Sequence, residues 1–564
     1  MLRFLSVVAI CTVILLYFLY NLHYSVNFPF QDDFLFIQFI EAISENKAGF
    51  VGVVREMFRT FNDHKAVVPR FISLIEYWIT GHLNFRFYIF LVSVNVIYIF
   101  YFIYLNFKKA KLPLYYFVPV PFLFFHPLYH EVSSWALTGM QHTYLTAFLV
   151  TAITLASRGT SAAFYGAMVC CFLATFTHGN GILSFPAIIF LFLCYKDFRK
   201  AILTAIFMII CLAIYLAGYE SGQAVNLPKS AALFFSSLFG FVGSEMSLWM
   251  EPEFFSAIWG AAIIGCMALV TIRVASVYFP KPADIRPGTI ELLTLFAFIF
   301  ISSTVVALFR SWAGTTIASR FQLYAALSTV IFYLFLLYYT DFMKKKWVYV
   351  TVLTLSICYW TYSHYRFTNV VAAKRTTYLA DIYNWRNTRN MFSVEKSIVQ
   401  YGNFYLLPAW EKGFFSLPEP VVTKDEVNAL FESGKVAPDS TLYLETWDIH
   451  RIVRDGEEEL TYYFVSSNAS PQRKDFFDDR FLALKNDSTG VTYLLNATPK
   501  VEARANIVTS GHYYKNGFNT QLRYDDFAPG VYSMGILDVS GSGRKSFYRL
   551  DRSLVSTGNG YALR

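Results

Sequence analysis

Long apolar runs separated by short polar connections fill residues 1–364. The first run follows Arg3, is longer than a signal-peptide core and has no small-residue cleavage site, so we expect an uncleaved anchor with a cytoplasmic N-terminus. A helix that crosses a bilayer needs about 20 consecutive, mostly apolar residues. The pattern therefore predicts about eleven transmembrane helices. They lie near 3–22, 86–107, 112–128, 141–157, 161–177, 181–195, 200–218, 254–274, 290–309, 321–340 and 347–363.

Basic residues predict the orientation of these helices. If the first helix runs outward, the basic connections fall on the cytoplasmic side, as the positive-inside rule requires. They carry Lys108, Lys109, Lys111, Arg158, Lys196, Arg199, Lys200, Arg273, Lys281, Arg286, Lys344, Lys345 and Lys346. A further apolar run covers 231–250. If it were a span, Arg273, Lys281 and Arg286 would lie on the outer side, so we predict a re-entrant or interfacial segment there. The C-terminus is then external, as are the loops 23–85, 129–140, 219–253 and 310–320.

The pattern changes at about residue 365, after which no apolar run is long enough to span a bilayer. The remainder has the size of one soluble domain. Short β-branched and aromatic segments separated by Gly, Asn, Asp and Ser predict the strands of a β-sandwich. These segments are TLYLETW, LTYYFVSS, GVTYLLNA, GVYSMGILDV and KSFYRLD. We therefore predict a polytopic α-helical membrane domain at 1–364 and an external, mainly β domain at 365–564.

Composition agrees with a membrane protein. Hydrophobic residues make up 55% of the chain and charged residues only 15%, which is too apolar for a water-soluble globular protein. The formal charge of +8 is distributed in clusters between apolar runs, so it indicates topology and not nucleic-acid binding. All 7 cysteines lie in apolar runs without C-x-x-C spacing, which predicts neither a disulfide framework nor a cysteine metal site.

Two adjacent carboxylates, Asp32 and Asp33, follow the first predicted span. One interpretation is structural, with an acid capping the N-terminus of a helix that starts at FLFIQFIEAI. The other is catalytic, because a carboxylate partly desolvated at the lipid–water boundary could take a proton from a sugar hydroxyl. Capping explains one aspartate and leaves the second without a role, so we favour the catalytic interpretation.

Cationic side chains share the predicted outer side with this pair. His64, Lys65 and Arg70 lie in the same loop, either as snorkelling residues of an interfacial helix or as donors to a phosphate. Arg310 and Arg320 are the only basic residues of a short outer loop. Their position runs against the positive-inside trend, which indicates that they bind an anion such as a phosphate or pyrophosphate.

Two more polar groups lie at the predicted outer ends of spans, in the segments HEVSSWALTGMQHTY and FTHGNGI. Any single histidine at such a position could be an ordinary boundary residue. Their shared side of the membrane favours a common site. Gln141, His142, His178 and Asn180 are therefore candidates to bind the substrate.

The order QDDF, NDHKAVVPRFISLIEYWITG, SSWALTGMQHTY, THGNGI and ASRFQLY resembles bacterial O-antigen-modifying glucosyltransferases of the GT-C membrane glycosyltransferase class. The resemblance covers about the first 360 residues and is one of architecture. It implies an inner-membrane enzyme that takes a sugar from a polyprenyl-phosphate donor and transfers it, with inversion, to a glycan or lipid-linked acceptor on the periplasmic side.

The resemblance also implies roles for individual residues. Asp32 or Asp33 would be the catalytic base, and His64, Arg70, Arg310 and Arg320 would hold the lipid phosphate. Some relatives use a divalent cation such as Mg²⁺ or Mn²⁺. Two adjacent aspartates alone cannot complete a coordination shell, so the metal requirement stays open. The better-known members of this class have no counterpart that we can match to the C-terminal domain. Acceptor recognition is one role that we expect for it.

Two other functions remain open. A flippase or transporter of lipid-linked oligosaccharides would have charged residues in mid-span positions and a duplicated half, and the sequence has neither. A polysaccharide polymerase or ligase would share the membrane location and the outer-side arginines. It would give no reason for the early aspartate pair or for the large C-terminal domain.

Overall fold

The computed structural model describes residues 1–45, 49–61, 64–219, 226–248, 251–280, 283–313, 317–393, 396–453, 456–469, 471–473 and 475–564. Lys281, one of the basic residues that define the predicted orientation, lies outside these ranges. The described chain divides into two compact units. One unit comprises Met1–Ser25, Asp32–Phe367 and Gly413–Phe415, and the other comprises Val26–Gln31, Thr368–Lys412 and Ser416–Arg564.

The first unit is helical. Its helices are α1 Leu2–Tyr24, α2 Phe34–Glu45, α3 Gly49–Phe58, α4 Val67–Thr80, α5 Phe85–Lys109, α6 Pro119–Phe124, α7 His130–Ser134, α8 Ala136–Ala156, α9 Ser161–Thr175, α10 Ser184–Cys194, α11 Phe198–Leu216, α12 Ala231–Gly243, α13 Pro252–Ala275, α14 Thr289–Arg310 and α15 Gln322–Tyr339. Short 3-10 turns join several of them, among them Gln31–Asp33, Gly179–Leu183, Ser244–Leu248 and Ser319–Phe321. The long helix α16, Lys346–Thr388, contributes residues to both units.

Seven helical segments of the described chain are long and apolar enough to cross a membrane. They are Leu2–Tyr24, Phe85–Lys109, Phe198–Leu216, Ala231–Leu248, Pro252–Tyr278, Thr289–Arg310 and Ser319–Tyr339. Six of the seven coincide with predicted spans. The seventh covers the run at 231–250, whose predicted re-entrant course stays a prediction. Together they indicate a membrane-embedded protein.

The remaining predicted spans differ from these seven segments. The predicted helix at 112–128 is wrong, because the chain there forms three short pieces, Leu114–Phe117, Pro119–Phe124 and Pro127–Tyr129. Four prolines in this stretch lack a backbone N–H and interrupt any continuous helix. The predicted spans at 161–177 and 181–195 are apolar helices shorter than 18 residues. The predicted span at 141–157 overlaps α8 except for its last residue, and the one at 347–363 lies within α16. The total of eleven spans therefore stays a prediction.

Helix packing in the first unit depends on small residues at points of close backbone approach. A Cβ atom on Gly243 of α12 would lie 2.1 Å from the Ser256 carbonyl oxygen of α13, and one on Gly260 would lie 1.9 Å from the Phe239 carbonyl oxygen. Only glycine permits such contact between helices. On α8, a Cβ on Gly139 would likewise lie 2.3 Å from the Val132 carbonyl oxygen. The glycine thus lets the start of α8 lie close beside α7.

The second unit is built around two β-sheets. Its strands are β1 Val436–Ala437, β2 Tyr443–Val453, β3 Gly456–Ser467, β4 Asp479–Asn486, β5 Thr492–Asn496, β6 Thr498–Val501, β7 Tyr514–Arg523, β8 Gly530–Val539, β9 Lys545–Ser556 and β10 Tyr561–Leu563. One sheet has the order β1-β9-β8-β4-β5, with β10 also paired to β9, and the other has the order β2-β3-β7-β6. Helices α17 Lys396–Glu411, α18 Lys424–Ser433 and α19 Arg504–Ser510 complete it.

A single apolar core joins the two sheets. Val465 of β3 and Leu522 of β7 pack with Leu482 of β4, Ile536 of β8 and Leu554 of β9 in one buried cluster. The prediction of a β-rich C-terminal part is confirmed, and each of the five predicted segments contains a strand. The predicted boundary at residue 365 lies near Thr368, where the C-terminal part of this unit begins, and residues 26–31 belong to the unit as well.

Candidate functional site

A cavity of about 360 Å³ lies in the helical unit, where several helices begin or end. Its walls come from the turn before α2, the segment before α4, the start of α8, the connection between α9 and α10, the end of α14 and the turn before α15. The lining residues are Asp32, His64, Trp135, Thr138, Gln141, His142, His178, Asn180, Val305, Val306, Phe309, Arg310, Arg320 and Phe321.

Most of the candidate residues predicted from the sequence line this one cavity. They are Asp32, His64, Gln141, His142, His178, Asn180, Arg310 and Arg320. These residues come from six separate segments of the chain, so their convergence is a property of the fold and not of sequence proximity. The cavity brings together one carboxylate, two guanidinium groups, three imidazoles and two amides. Asp33, Lys65 and Arg70 do not belong to the lining.

The two adjacent aspartates have different environments. Asp33 is only 2% exposed, and its Oδ1 accepts a hydrogen bond of 2.7 Å from the backbone N–H of Leu137. A carboxylate at a helix N-terminus satisfies an otherwise unpaired N–H group and interacts favourably with the helix dipole. Asp33 therefore caps the N-terminus of α8, whereas the sequence predicted a cap on the helix that starts at FLFIQFIEAI. Asp32 faces the cavity instead.

Three histidine rings form a row along the cavity. The ring centroids of His64 and His178 are 4.0 Å apart, and those of His178 and His142 are 5.3 Å apart. The Nδ1 atom of His142 is hydrogen-bonded to the Tyr324 hydroxyl at 3.0 Å. The Nδ1 atom of His178 accepts a hydrogen bond of 3.2 Å from the backbone N–H of Asn180.

His178 lies in the connection between α9 and α10, and its surroundings favour the neutral ring. Burial lowers the pKa of His178 well below its ordinary value, and the nearby His64, His142 and Arg310 act in the same direction. Its Nδ1 atom accepts a hydrogen bond, so the neutral ring carries its proton on Nε2. A neutral imidazole of this tautomer can donate one hydrogen bond to a ligand hydroxyl or phosphate oxygen.

The two cavity arginines are held differently. Arg310 is the last residue of α14, and residues 314–316 beyond it lie outside the described chain. Arg320 lies in the turn before α15, where its Nη1 is 3.7 Å from Glu131 Oε2 and its backbone N–H donates to the same oxygen at 3.1 Å. Its guanidinium carbon is 5.4 Å from the centre of the Phe321 ring.

Glu131 was not singled out by the sequence, although it lies in the segment HEVSSWALTGMQHTY. Its contacts join α7 to the turn that carries Arg320. The Ser319 hydroxyl donates to the Leu128 carbonyl oxygen at 2.6 Å and accepts from the Glu131 backbone N–H at 3.2 Å. The only sequence signal was an acidic residue among the polar residues at the predicted end of a span.

Lys65 and Arg70 are buried elsewhere, each 3% exposed. Lys65 Nζ donates to the Ala217 carbonyl oxygen at 2.5 Å, just after α11. Arg70 Nη1 donates to the carbonyl oxygens of Met57 at 3.1 Å and Arg59 at 2.5 Å, at the end of α3. Cationic groups at these positions compensate carbonyls that a helix C-terminus leaves unpaired. The prediction that these two residues hold the donor phosphate is therefore not carried further.

Within the described ranges, no group of three or more His, Cys, Asp or Glu side chains is arranged to hold a metal ion. Comparisons with known protein families, with curated proteins and with solved structures gave no match to this chain.

Proposed function

We propose that the chain is a membrane glycosyltransferase that moves a sugar from a polyprenyl-phosphate donor to a glycan or lipid-linked acceptor on the non-cytoplasmic side of the membrane. The observation that carries the proposal is a single cavity with a carboxylate, Asp32, and two guanidinium groups, Arg310 and Arg320. Sugar transfer from a phosphate donor needs a base for the incoming hydroxyl and cations for the departing phosphate.

In the proposed reaction, Asp32 takes the proton of the acceptor hydroxyl as its oxygen attacks the anomeric carbon. The bond from that carbon to the phosphate oxygen breaks, a glycosidic bond forms with inversion, and polyprenyl phosphate leaves with the electron pair. Arg310 and Arg320 stabilise the negative charge on the phosphate through charge-assisted hydrogen bonds. Asp33 acts as a positioning residue, because its bond to Leu137 holds the start of α8 next to the turn that carries Asp32.

The remaining lining suits a sugar. His64, Gln141, His142, His178 and Asn180 offer hydrogen-bonding groups for ring hydroxyls, and apolar walls such as Phe309 and Phe321 offer contact for the C–H face. The cavity volume of about 360 Å³ lies within the range of about 300–1,000 Å³ for small-molecule sites. Seven helical segments long and apolar enough to cross a membrane agree with a lipid-linked donor.

The test is transfer by the purified protein in proteoliposomes. Radiolabelled polyprenyl-phosphate hexoses are supplied one at a time, with delipidated bacterial envelope glycan as acceptor, and label in the glycan is counted. We expect transfer from one donor, with loss of transfer in Asp32→Asn. Glu45→Gln is the matched control, because it also converts a carboxylate to an amide but lies exposed at the end of α2.

The same experiment separates the alternatives. A transporter would move the labelled donor across the bilayer without forming a new glycosidic bond. A polymerase or ligase would join preassembled lipid-linked repeats and would leave single hexoses untransferred. Absence of label in glycan with every donor overturns the proposal, and transfer that is unchanged in Asp32→Asn overturns the assigned base.

A further inference from the structure

The four-stranded sheet of the second unit has one face in the core and one face outward. Val465 and Leu522 point into the core, and side chains alternate between faces along a strand. Strand β2 pairs with β3 such that Tyr443 opposes Ser466 and Trp447 opposes Tyr462. The outward face therefore carries four aromatic side chains, which we call the aromatic face: Tyr443, Trp447, Tyr462 and Phe464.

The rings of the aromatic face are accessible. Trp447 is 57% exposed and Tyr443 is 44% exposed, whereas Tyr462 and Phe464 are half-buried. The ring centroids of Trp447 and Phe464 are 6.0 Å apart at an interplanar angle of 41°. Exposed clusters of large apolar side chains are typical of interaction surfaces, and aromatic residues dominate the energetics of such surfaces.

Polar side chains flank these rings on the next strand. Gln521 of β7 opposes Phe464 and Asn519 opposes Ser466, so both amides project from the aromatic face. Both side chains are exposed. The Oδ1 atom of Asn519 accepts a hydrogen bond of 2.5 Å from the Ser466 hydroxyl. The surface therefore alternates flat rings with neutral donors and acceptors.

Charges on the described part of this face nearly balance. Arg523 is paired with Asp526 at 3.0 Å, so these two charges compensate each other. Glu445 lies between Tyr443 and Trp447 on β2 and contributes one negative charge. Lys500 lies at the other end of the surface, with Nζ 6.0 Å from the centre of the Tyr443 ring and 2.6 Å from Asn468 Oδ1. This balance complements an uncharged ligand and disfavours a polyanion, which would require a surplus of cations.

We infer that the aromatic face binds a neutral glycan chain. The C–H face of a pyranose packs on an aromatic ring through apolar and weak C–H···π contacts. The amides of Asn519 and Gln521 supply hydrogen bonds for the hydroxyl groups at the ring edge. A neutral glycan is the ligand that uses both features of this surface. Identifying the glycan as the acceptor of transfer rests on the proposed function, whereas the binding itself does not.

The test measures binding of the full-length protein in detergent micelles to immobilised polysaccharides by biolayer interferometry. The probes are dextran, mannan, laminarin and galactan, which are neutral, and alginate, which is a polyanion. We expect binding to at least one neutral probe. Trp447→Ala should weaken it at least about tenfold, or about 1.4 kcal/mol, and Trp447→Phe should retain most of it because a ring remains.

Phe477→Ala is the matched control. Phe477 is also an exposed aromatic residue of this unit, 55% exposed, but it packs beside Gly541 of the β8–β9 turn and lies off the aromatic face. Phe477→Ala should leave glycan binding unchanged. Trp447→Ala should unfold at the same temperature as the parental protein, which would show that the variant is folded. The same binding measurement on Asp32→Asn, which should not transfer sugar, separates glycan binding from transfer. The glycan-binding inference and the proposed function can therefore fail independently of each other.

Three outcomes overturn the inference. The first is absence of binding to every neutral probe, and the second is equal binding by Trp447→Ala and the parental protein. The third is binding to alginate alone, lost as salt is added, which would assign the surface to a polyanion.

Discussion

Asp33 Oδ1 accepts a hydrogen bond from the backbone N–H of Leu137 at 2.7 Å, so that one aspartate of the adjacent pair is attached to the first turn of α8. Helix α8 carries Thr138, Gln141 and His142 into the cavity. The contact spans more than a hundred residues of sequence and links the segment that holds Asp32 to the helix that forms one cavity wall. The pair therefore divides into a cavity residue and a residue that holds the wall in place.

This division predicts different effects of the two substitutions on stability. Asp33→Ala should lower the free energy of unfolding by about 1–3 kcal/mol, because a buried N–H of α8 loses its acceptor. Asp32→Asn should leave thermal stability unchanged. The measurement is thermal unfolding of both purified variants in the same detergent. Equal stability of Asp33→Ala and the parental protein would mean that the contact with Leu137 holds nothing in place.

The cavity arginines should bind the donor phosphate. Losing a charge-assisted hydrogen bond costs about 1.5–3 kcal/mol, so Arg310→Gln and Arg320→Gln should each weaken donor affinity by more than about tenfold. The measurement is binding of a polyprenyl-phosphate sugar to the protein in nanodiscs. Arg59→Gln is the control, because the Arg59 side chain is 62% exposed, forms an ion pair with Glu56 at 3.4 Å and does not line the cavity. Unchanged affinity in both cavity variants would reduce these arginines to boundary residues.

Glu131→Gln tests how Arg320 is held. The ion pair is partly exposed, 33% for Arg320 and 29% for Glu131, and such pairs contribute at most about 1 kcal/mol. We expect Glu131→Gln to lower donor affinity by less than Arg320→Gln does. The double variant should have the same donor affinity as Arg320→Gln alone. Additive losses in the double variant would show that Glu131 acts independently of Arg320.

Burial raises the pKa of Glu76 to about 7, which predicts a pH dependence of stability. The folded pKa is above that of the unfolded chain, so the folded state is favoured at low pH and loses stability as the pH rises from about 4.5 to about 7. Glu76→Gln removes the ionisable group. The variant should unfold at a higher temperature than the parental protein at about pH 8, and the difference should shrink at about pH 5. A difference that is equal at both pH values would contradict this assignment.

Reporter fusions test the orientation on which the proposed function depends. Fusions after Lys111, Lys200, Arg286 and Lys346 should report the cytoplasm, because these connections are basic. A fusion after Asp381 should report the outside. An external signal at Arg286 would show that Ala231–Leu248 crosses the membrane, and a cytoplasmic signal at Asp381 would place the second unit on the wrong side for the proposed reaction.

The helical fold was predictable where the apolar runs are long and lack prolines, as for α1, α5, α13 and α14. It was not predictable at 112–128, because hydropathy counts apolar residues and ignores the backbone. Four prolines there remove N–H donors and break the helix, although the stretch remains apolar. In the second unit, strands with turn residues at both ends were predictable. The sequence analysis did not predict strand β4. The side chains on both faces of this strand are buried, so buried and exposed positions do not alternate along it.

Much of the candidate site was also predictable, because polar residues at apolar boundaries are costly unless they serve a function. That argument selects residues but not the direction of their side chains. Asp32 and Asp33 are adjacent in sequence and have different partners, and only the fold distinguishes them. Lys65 and Arg70 satisfy the same argument, yet each binds backbone carbonyl oxygens that no sequence pattern reveals.

The central claim is that Asp32 is the base of a sugar transfer, and the most direct measurement is the single-turnover rate of Asp32→Asn with donor and acceptor both saturating. General-base assistance is worth about 10²–10⁴-fold in rate. We predict a loss of that size with unchanged donor affinity and unchanged unfolding temperature, while Glu45→Gln transfers at the parental rate. Transfer by folded, inserted Asp32→Asn at the parental rate would contradict the account, because the cavity would then have no group in the role of the base.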